Sequence, residues 1–240
     1  ERLLAKMHKV ISIIQFKLEE QVIKENPSYN MNKRLMLDTL DLDKATIQIE
    51  GKTYTLNDKK FPTIDKKNHT KLTEDEKNVI DSITENFVNS EKLKKHIRFL
   101  YAKGSMYLKF NNNLLFHACV LLDENKEFKK VKIGDSFYSG KALMDKYDEM
   151  AREAYFSQKD VDFLWFLWCN EDSTLFGKDK MTTFERYFIE DKKTHKEEKG
   201  NYFKLRESEE IIDQILAEFD VEGENAHIIN GHVPVHVANG

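Results

Sequence analysis

The stretch Leu114-Leu115-Phe116-His117-Ala118-Cys119-Val120 is an apolar run that delivers an imidazole from its tip. His227-Ile228-Ile229-Asn230-Gly231-His232-Val233-Pro234-Val235 repeats the arrangement, with His232 following His117 by 115 positions. Short apolar runs of this kind read as buried strands. Working outward from His117, Met106–Phe110 and Leu114–Phe116 flank Asn111-Asn112-Asn113, whose side chains tolerate positive φ. The pair is therefore expected to form an antiparallel hairpin with His117 at the end of its second strand. A small residue after one histidine and a glycine before the other suit metal ligands held in a crevice. A single histidine in such a place is more often a satisfied core or rim residue; two together suggest half of a metal site.

Elsewhere the pattern is mixed. Leu3, Met7, Val10, Ile11, Ile14, Leu18 and Val22 recur every three or four residues, predicting an amphipathic helix over 2–25 that Pro27 ends. From Asn30 to about Asp75 the chain is polar and lysine-rich and reads as a surface insertion, with one hairpin in Ala45–Leu56 around a Glu-Gly turn. Thr73-Glu74-Asp75-Glu76 is a capping box that opens a helix through Val79, Ile80, Ile83 and Phe87. Ser90 caps the next, through Leu93, Ile97 and Leu100, and Gly104 stops it. Residues 141–157 form another amphipathic helix, Val161–Cys169 a mostly buried one whose two tryptophans belong to the core, and Ile211–Phe219 one more before the His227 strand. The expected class is α+β, divided into a helix over 1–25, a polar insertion over 26–100, and a core over 101–240 with a helical insertion at about 140–220.

Composition excludes several functions. With 240 residues, 40% hydrophobic, 33% charged and a formal net charge of −4, the chain can bury one good core or two modest ones, and nothing marks it as a nucleic-acid binder. The longest apolar stretch, Val161–Cys169, contains Asp162 and is far short of a bilayer span, so no membrane contact is expected. Cys119 and Cys169 lie in apolar runs without metal-like spacing and read as buried reduced thiols, which fits the cytoplasm. There is no Gly-x-Ser-x-Gly, catalytic cysteine environment or close carboxylate pair, and Glu190–Lys199 reads as a solvated loop of mixed charge. Glu1-Arg2-Leu3-Leu4 enters an amphipathic pattern at once and Ala238-Asn239-Gly240 stops abruptly, so the chain is expected to be a piece of a longer polypeptide.

Leu175–Tyr187 has further chemical promise. Gly177 lets the backbone turn, Lys178 and Lys180 flank the turn, and Thr182 with Glu185 makes a capping box opening a helix that carries Arg186. Backbone N–H groups and ammonium groups can converge there on an anion, although a solvated turn with surface lysines explains the same residues. The Gly-Lys pair lacks the upstream glycine and following hydroxyl of a P-loop, which argues against a nucleoside triphosphate.

These runs have a familiar order. Lys103–Leu108 and Asn113–Cys119, then Leu167-Trp168-Cys169 with Phe176–Phe188, then Asn230–Val235, and earlier His96-Ile97-Arg98-Phe99-Leu100, together resemble the class III fructose-1,6-bisphosphatases of bacteria. That family is similar to the calcineurin-like metallophosphoesterases, which implies a two-sheet sandwich flanked by helices and two divalent metals at strand ends. The resemblance implies that His117 and His232 ligate one metal, with Ala118 in place of the usual glycine, and that the metal is manganese. The family's aspartate motifs and its Gly-Asn-His-Asp motif have no match here and are expected upstream of Glu1, so the isolated chain is expected to be inactive.

The activity implied is metal-dependent hydrolysis of fructose 1,6-bisphosphate to fructose 6-phosphate in gluconeogenesis. Lys178, Lys180 and Arg186 are then candidates for holding the sugar bisphosphate. The expected partners are that substrate, the rest of the same polypeptide and a second copy in a homo-oligomer. A related phosphoesterase acting on a phosphoprotein or nucleotide, and a non-catalytic assembly module, are the competing readings; the upstream aspartate motifs separate the last from the others.

Overall fold

A computed structural model describes residues 2–223 and 225–232; Glu1, Val233-Pro234-Val235 and Ala238-Asn239-Gly240 lie outside the described residues. In chain order the elements are α1 (Arg2–Glu25), β1 (Leu40–Asp41), β2 (Thr46–Ile49), β3 (Lys52–Thr55), α2 (Glu74–Val88) and α3 (Glu91–Lys103). There follow β4 (Tyr107–Phe110), β5 (Asn113–Phe116), β6 (Val131–Ile133), β7 (Ser136–Tyr138), α4 (Gly140–Ser157) and α5 (Asp162–Cys169). The last are α6 (Thr183–Phe188), α7 (Asn201–Leu205), α8 (Glu209–Glu218) and β8 (His227–Asn230). The class is α+β. Two compact units share these elements: residues 1–94 with 182–196, and residues 95–181 with 197–240.

In the first unit β1, β2 and β3 make an antiparallel sheet. Its β2–β3 turn uses Glu50 (φ 50°) and Gly51 (φ 78°), a left-handed pair that matches the strand twist, as the Glu-Gly dipeptide predicted. Ile13 and Phe16 of α1 pack with Met36, Leu37, Leu40, Ile47, Leu56, Phe61 and Ile64, and with Phe184, Phe188 and Ile189 from beyond the gap in sequence. The lysine-rich segment 30–75 is thus more than a surface insertion, because it supplies much of this core. Its apolar residues are irregularly spaced among lysines, so no period announces them. The Phe16 and Phe184 rings meet edge to face at 5.1 Å, and Phe61 and Phe188 at 5.3 Å.

Buried polar groups tie the same unit together. Lys17, fully buried, donates to the Thr63 carbonyl at 2.6 Å and to Glu76 Oε2 at 2.7 Å. Glu76 and Thr73 form the capping box expected at the start of α2. Thr182 and Glu185 do not form theirs. Arg34 takes both Glu185 oxygens at 2.5 and 2.9 Å, and Thr182 Oγ1 donates to the His195 carbonyl at 3.2 Å instead. A bidentate guanidinium outcompetes a single backbone N–H for a buried carboxylate.

Glu20 is a buried carboxyl displaced far from its ordinary range. Burial, opposed by the Leu37 N–H that its Oε1 accepts, raises its carboxyl from 4.5 to about 7. The folded state therefore holds this proton longer than the unfolded chain. Its contribution to stability is full below pH 4.5 and is lost as pH rises towards 7, by no more than about 3 kcal/mol. Glu20→Gln should gain stability relative to the parent between pH 5 and pH 8 in urea titrations; a constant difference across that range would refute the assignment.

In the second unit β4, β5 and β8 form one sheet and β6 and β7 a separate hairpin. The β4–β5 turn uses Asn111 (φ 47°) and Asn112 (φ 61°), and Asn113 begins β5. α4 buries Leu143, Met144, Tyr147, Ala151 and Ala154, and α5 buries Phe163, Phe166, Leu167 and Cys169. Trp168 is 60% exposed, contrary to the expectation that both tryptophans belong to the core. An eight-residue helix apolar on every side cannot bury all its faces against one neighbour. One face of the β4-β5-β8 sheet is also bare, with Leu108, Phe110 and Ile229 between 52% and 63% exposed.

Candidate functional site

The site is built by a parallel strand pair. β5 and β8 run in the same direction, with Phe116 opposite Asn230, so the residues that follow each strand emerge at one end of the sheet. The backbone link continues one step past the ladder, where Gly231 N–H donates to the His117 carbonyl at 3.0 Å. His232 then takes a left-handed conformation (φ 62°) that turns its ring towards His117. His117 Nε2 lies 2.9 Å from His232 Nδ1, with ring centroids 4.7 Å apart.

That spacing has two chemical uses. It suits a proton shared between neutral imidazoles, and it suits two nitrogens bound to one ion, which at about 2.1 Å per bond and a right angle at the metal lie about 3 Å apart. Partial desolvation, followed by the neighbouring His117 and Lys178, holds His232 below the ordinary imidazole value, against a backbone hydrogen bond to Phe176. The shift favours the neutral form of the ring, the form that ligates metals. The donor set fits a divalent cation in part. Among the described residues no group of three or more histidine, cysteine, aspartate or glutamate side chains is placed to hold one.

Both histidines open onto a cavity of about 720 Å³ whose lining includes Lys178, Glu197, Trp168 and Phe176. Gly177 (φ 67°) makes the turn that precedes Lys178, and a Cβ there would strike the Phe203 ring. Lys178 Nζ sits 2.8 Å from Glu197 Oε2. Glu197 was hidden in the charge-dense 190–199 run; the bridge pairing Lys178 with Lys199 brings that run back alongside the turn. Arg152, also unannounced in the sequence, lines the cavity while donating to the Tyr101 and Gly104 carbonyls at 2.6 and 2.9 Å, closing the end of α3.

The other two cations are placed differently. Lys180 is partly buried and does not line this cavity. Arg186 belongs to the first unit, where it donates to Thr182 Oγ1 at 3.0 Å and to the His195 carbonyl at 2.9 Å. The six-residue α6 that carries it is too short to present the anion cradle expected of a helix start. The cysteines hold no chemistry: Cys119 and Cys169 are buried, and burial pushes the Cys119 thiol up to about 12.

A family described as Firmicute fructose-1,6-bisphosphatase matches residues 1–240. The chain belongs to that family. It is 54% identical over 99% of its length to a class 3 fructose-1,6-bisphosphatase of Clostridium beijerinckii, and 53% identical over its full length to that of Clostridium tetani. The class 3 enzyme of Clostridium botulinum strain Langeland is 50% identical over the full chain. The chain spans 37% of the length of each of these fructose-1,6-bisphosphatases. No solved structure matches it. Among the described residues of this family member, no helix is long and apolar enough to cross a membrane.

Proposed function

We propose that this chain is the part of a cytoplasmic fructose 1,6-bisphosphatase that supplies two histidine ligands, His117 and His232, to a divalent metal, most simply manganese. The observation that carries the proposal is the 2.9 Å approach of two imidazole nitrogens at one end of a parallel strand pair, in a family whose members are named for this hydrolysis. The remaining ligands come from the polypeptide that the relatives have outside this span. The bare Leu108, Phe110 and Ile229 face supports a second sheet packing there, as in a metallophosphoesterase sandwich. A divalent metal held by His117 and His232 would supply positive charge and activate a water for hydrolysis of the phosphate ester, a reaction whose products are fructose 6-phosphate and phosphate.

The chain's own residues divide the remaining work. His117 and His232 hold and orient the metal, and the apolar wall formed in part by Trp168 and Phe176 limits water around the reacting ester. Lys178 shares that cavity and takes the phosphate that is not cleaved, exchanging part of its contact with Glu197 for the substrate. Lys180 and Arg186 are tested beside it.

In the complete, manganese-loaded enzyme, Lys178→Ala should raise KM for fructose 1,6-bisphosphate by roughly 5- to 100-fold, the scale of one charge-assisted hydrogen bond. Hydrolysis of an aryl phosphate, which has no second phosphate, should hardly change. Lys180→Ala and Arg186→Ala should have smaller effects, because neither side chain lines the cavity. A parent enzyme that cleaves the aryl ester but not the sugar bisphosphate would sink the substrate assignment, and equal losses on both substrates would sink the role of Lys178.

A further inference from the structure

We infer that Asn230 is a positioning residue whose side-chain amide, oriented by the Tyr202 hydroxyl, ties β8 to the backbone just beyond His117 and so sets the spacing of the two imidazoles. This rests on the reading of His117 and His232 as ligands to one metal.

The strand ladder alone does not reach far enough. It ends at Phe116 opposite Asn230, and Gly231 N–H to the His117 carbonyl adds one rung. The next carbonyl, that of Ala118, belongs to a fully buried residue and needs a donor. Asn230 Nδ2 supplies it at 2.9 Å, across 112 positions of sequence. The other end of the same amide is fixed as well, because Tyr202 donates its hydroxyl to Asn230 Oδ1 at 3.1 Å. An amide that donates on one side and accepts on the other cannot flip without losing both bonds.

Tyr202 is itself immobilised. It is 2% exposed and meets Phe116 edge to face at 5.7 Å, and Phe116 is the residue opposite Asn230. Hydroxyl, amide and carbonyl thus form one chain of hydrogen bonds that clamps the ends of both histidine-bearing strands. A clamp is needed here. His232 adopts a positive φ that a residue with a side chain holds only when its surroundings impose it, at a cost of about 1 kcal/mol or more. Asn230 is two residues away, on the only side where its strand is anchored by described residues.

The test uses the complete enzyme and two readouts that do not depend on turnover: the Mn²⁺ dissociation constant by chelator competition, and the visible absorption band of the Co²⁺-loaded protein. Asn230→Ala should weaken Mn²⁺ binding about 10- to 100-fold and shift the Co²⁺ band, the range typical when a group that orients a metal ligand is removed. Tyr202→Phe should act in the same direction and more weakly. The double variant should be no worse than Asn230→Ala, since Tyr202 acts through Asn230. Parental affinity and an unshifted band in Asn230→Ala would overturn the inference. Should that variant fail to fold, Tyr202→Phe decides in its place, and unchanged binding there overturns it equally. His117→Ala and His232→Ala run alongside: if they too keep the metal, the ligand reading itself has failed, and the Asn230 role falls with it.

Discussion

His232→Ala, and equally His117→Ala, should strip the complete enzyme of most of its bound divalent metal and lower kcat/KM for fructose 1,6-bisphosphate about a thousandfold or more. The size follows from the several kcal/mol of transition-state charge stabilisation that a correctly held metal provides. Folding should scarcely notice. Both residues are exposed at the strand ends, so the melting temperature of the metal-free protein should move by only a few degrees. Metal content by elemental analysis, steady-state kinetics and thermal melts on the same preparations check all three statements. A variant that retains both metal and rate would show that its histidine serves the sheet end alone.

Lys17→Met should be the most damaging single change in the first unit, at about 3–5 kcal/mol. It leaves the Glu76 carboxylate, 3% exposed, without its ammonium partner, and the Thr63 carbonyl without its donor. Removing the carboxylate too should recover most of the loss, because two apolar side chains need no partner. Two losses remain in Lys17→Met with Glu76→Leu: about 1 kcal/mol from the capping box at the start of α2, and the Lys17 donor to the Thr63 carbonyl. The pH dependence has a definite sign. Burial alone would raise the Glu76 carboxyl, but hydrogen bonds from Lys17 and the Thr73 N–H more than offset it and hold it below 4.5. Its stabilisation is therefore complete above pH 4.5 and is lost as pH falls through the lower folded value. Urea titrations at pH 7 and pH 3 should show the parent losing its advantage over the double variant in acid.

The histidine site was partly visible in the sequence, and so were two turns, for different reasons. The histidine pair could be found because parallel strands leave two similar apolar runs, each ending in the same side chain. The hairpins at Glu50-Gly51 and Asn111-Asn112 were legible because left-handed turns select few residues. Local chemistry could not reveal partners that fold back from far away. Glu185 looked like a capping residue until Arg34, 151 positions earlier, took its carboxylate. Arg186 looked like part of an anion site, yet its guanidinium is held by Thr182 and His195. The first unit's core was hidden for the same reason, since Met36, Phe61 and Phe188 show no common period and meet only when the chain returns. Asn230 carried no signal of its own, because an asparagine at a strand end is ordinarily a turn residue.

The route of the chain between the two units also has a consequence during synthesis. A ribosome that has delivered residues 1–94 has made most of the first unit's apolar core but not Phe184, Phe188 or Ile189, which arrive with residues 182–196. At about 5–20 residues per second, the roughly ninety intervening residues take about 5–20 s to emerge. Throughout that interval Phe16 and Phe61 lack their aromatic neighbours, and Arg34 waits for Glu185. The core of the first unit can close only when a segment of fifteen residues, 182–196, leaves the exit tunnel.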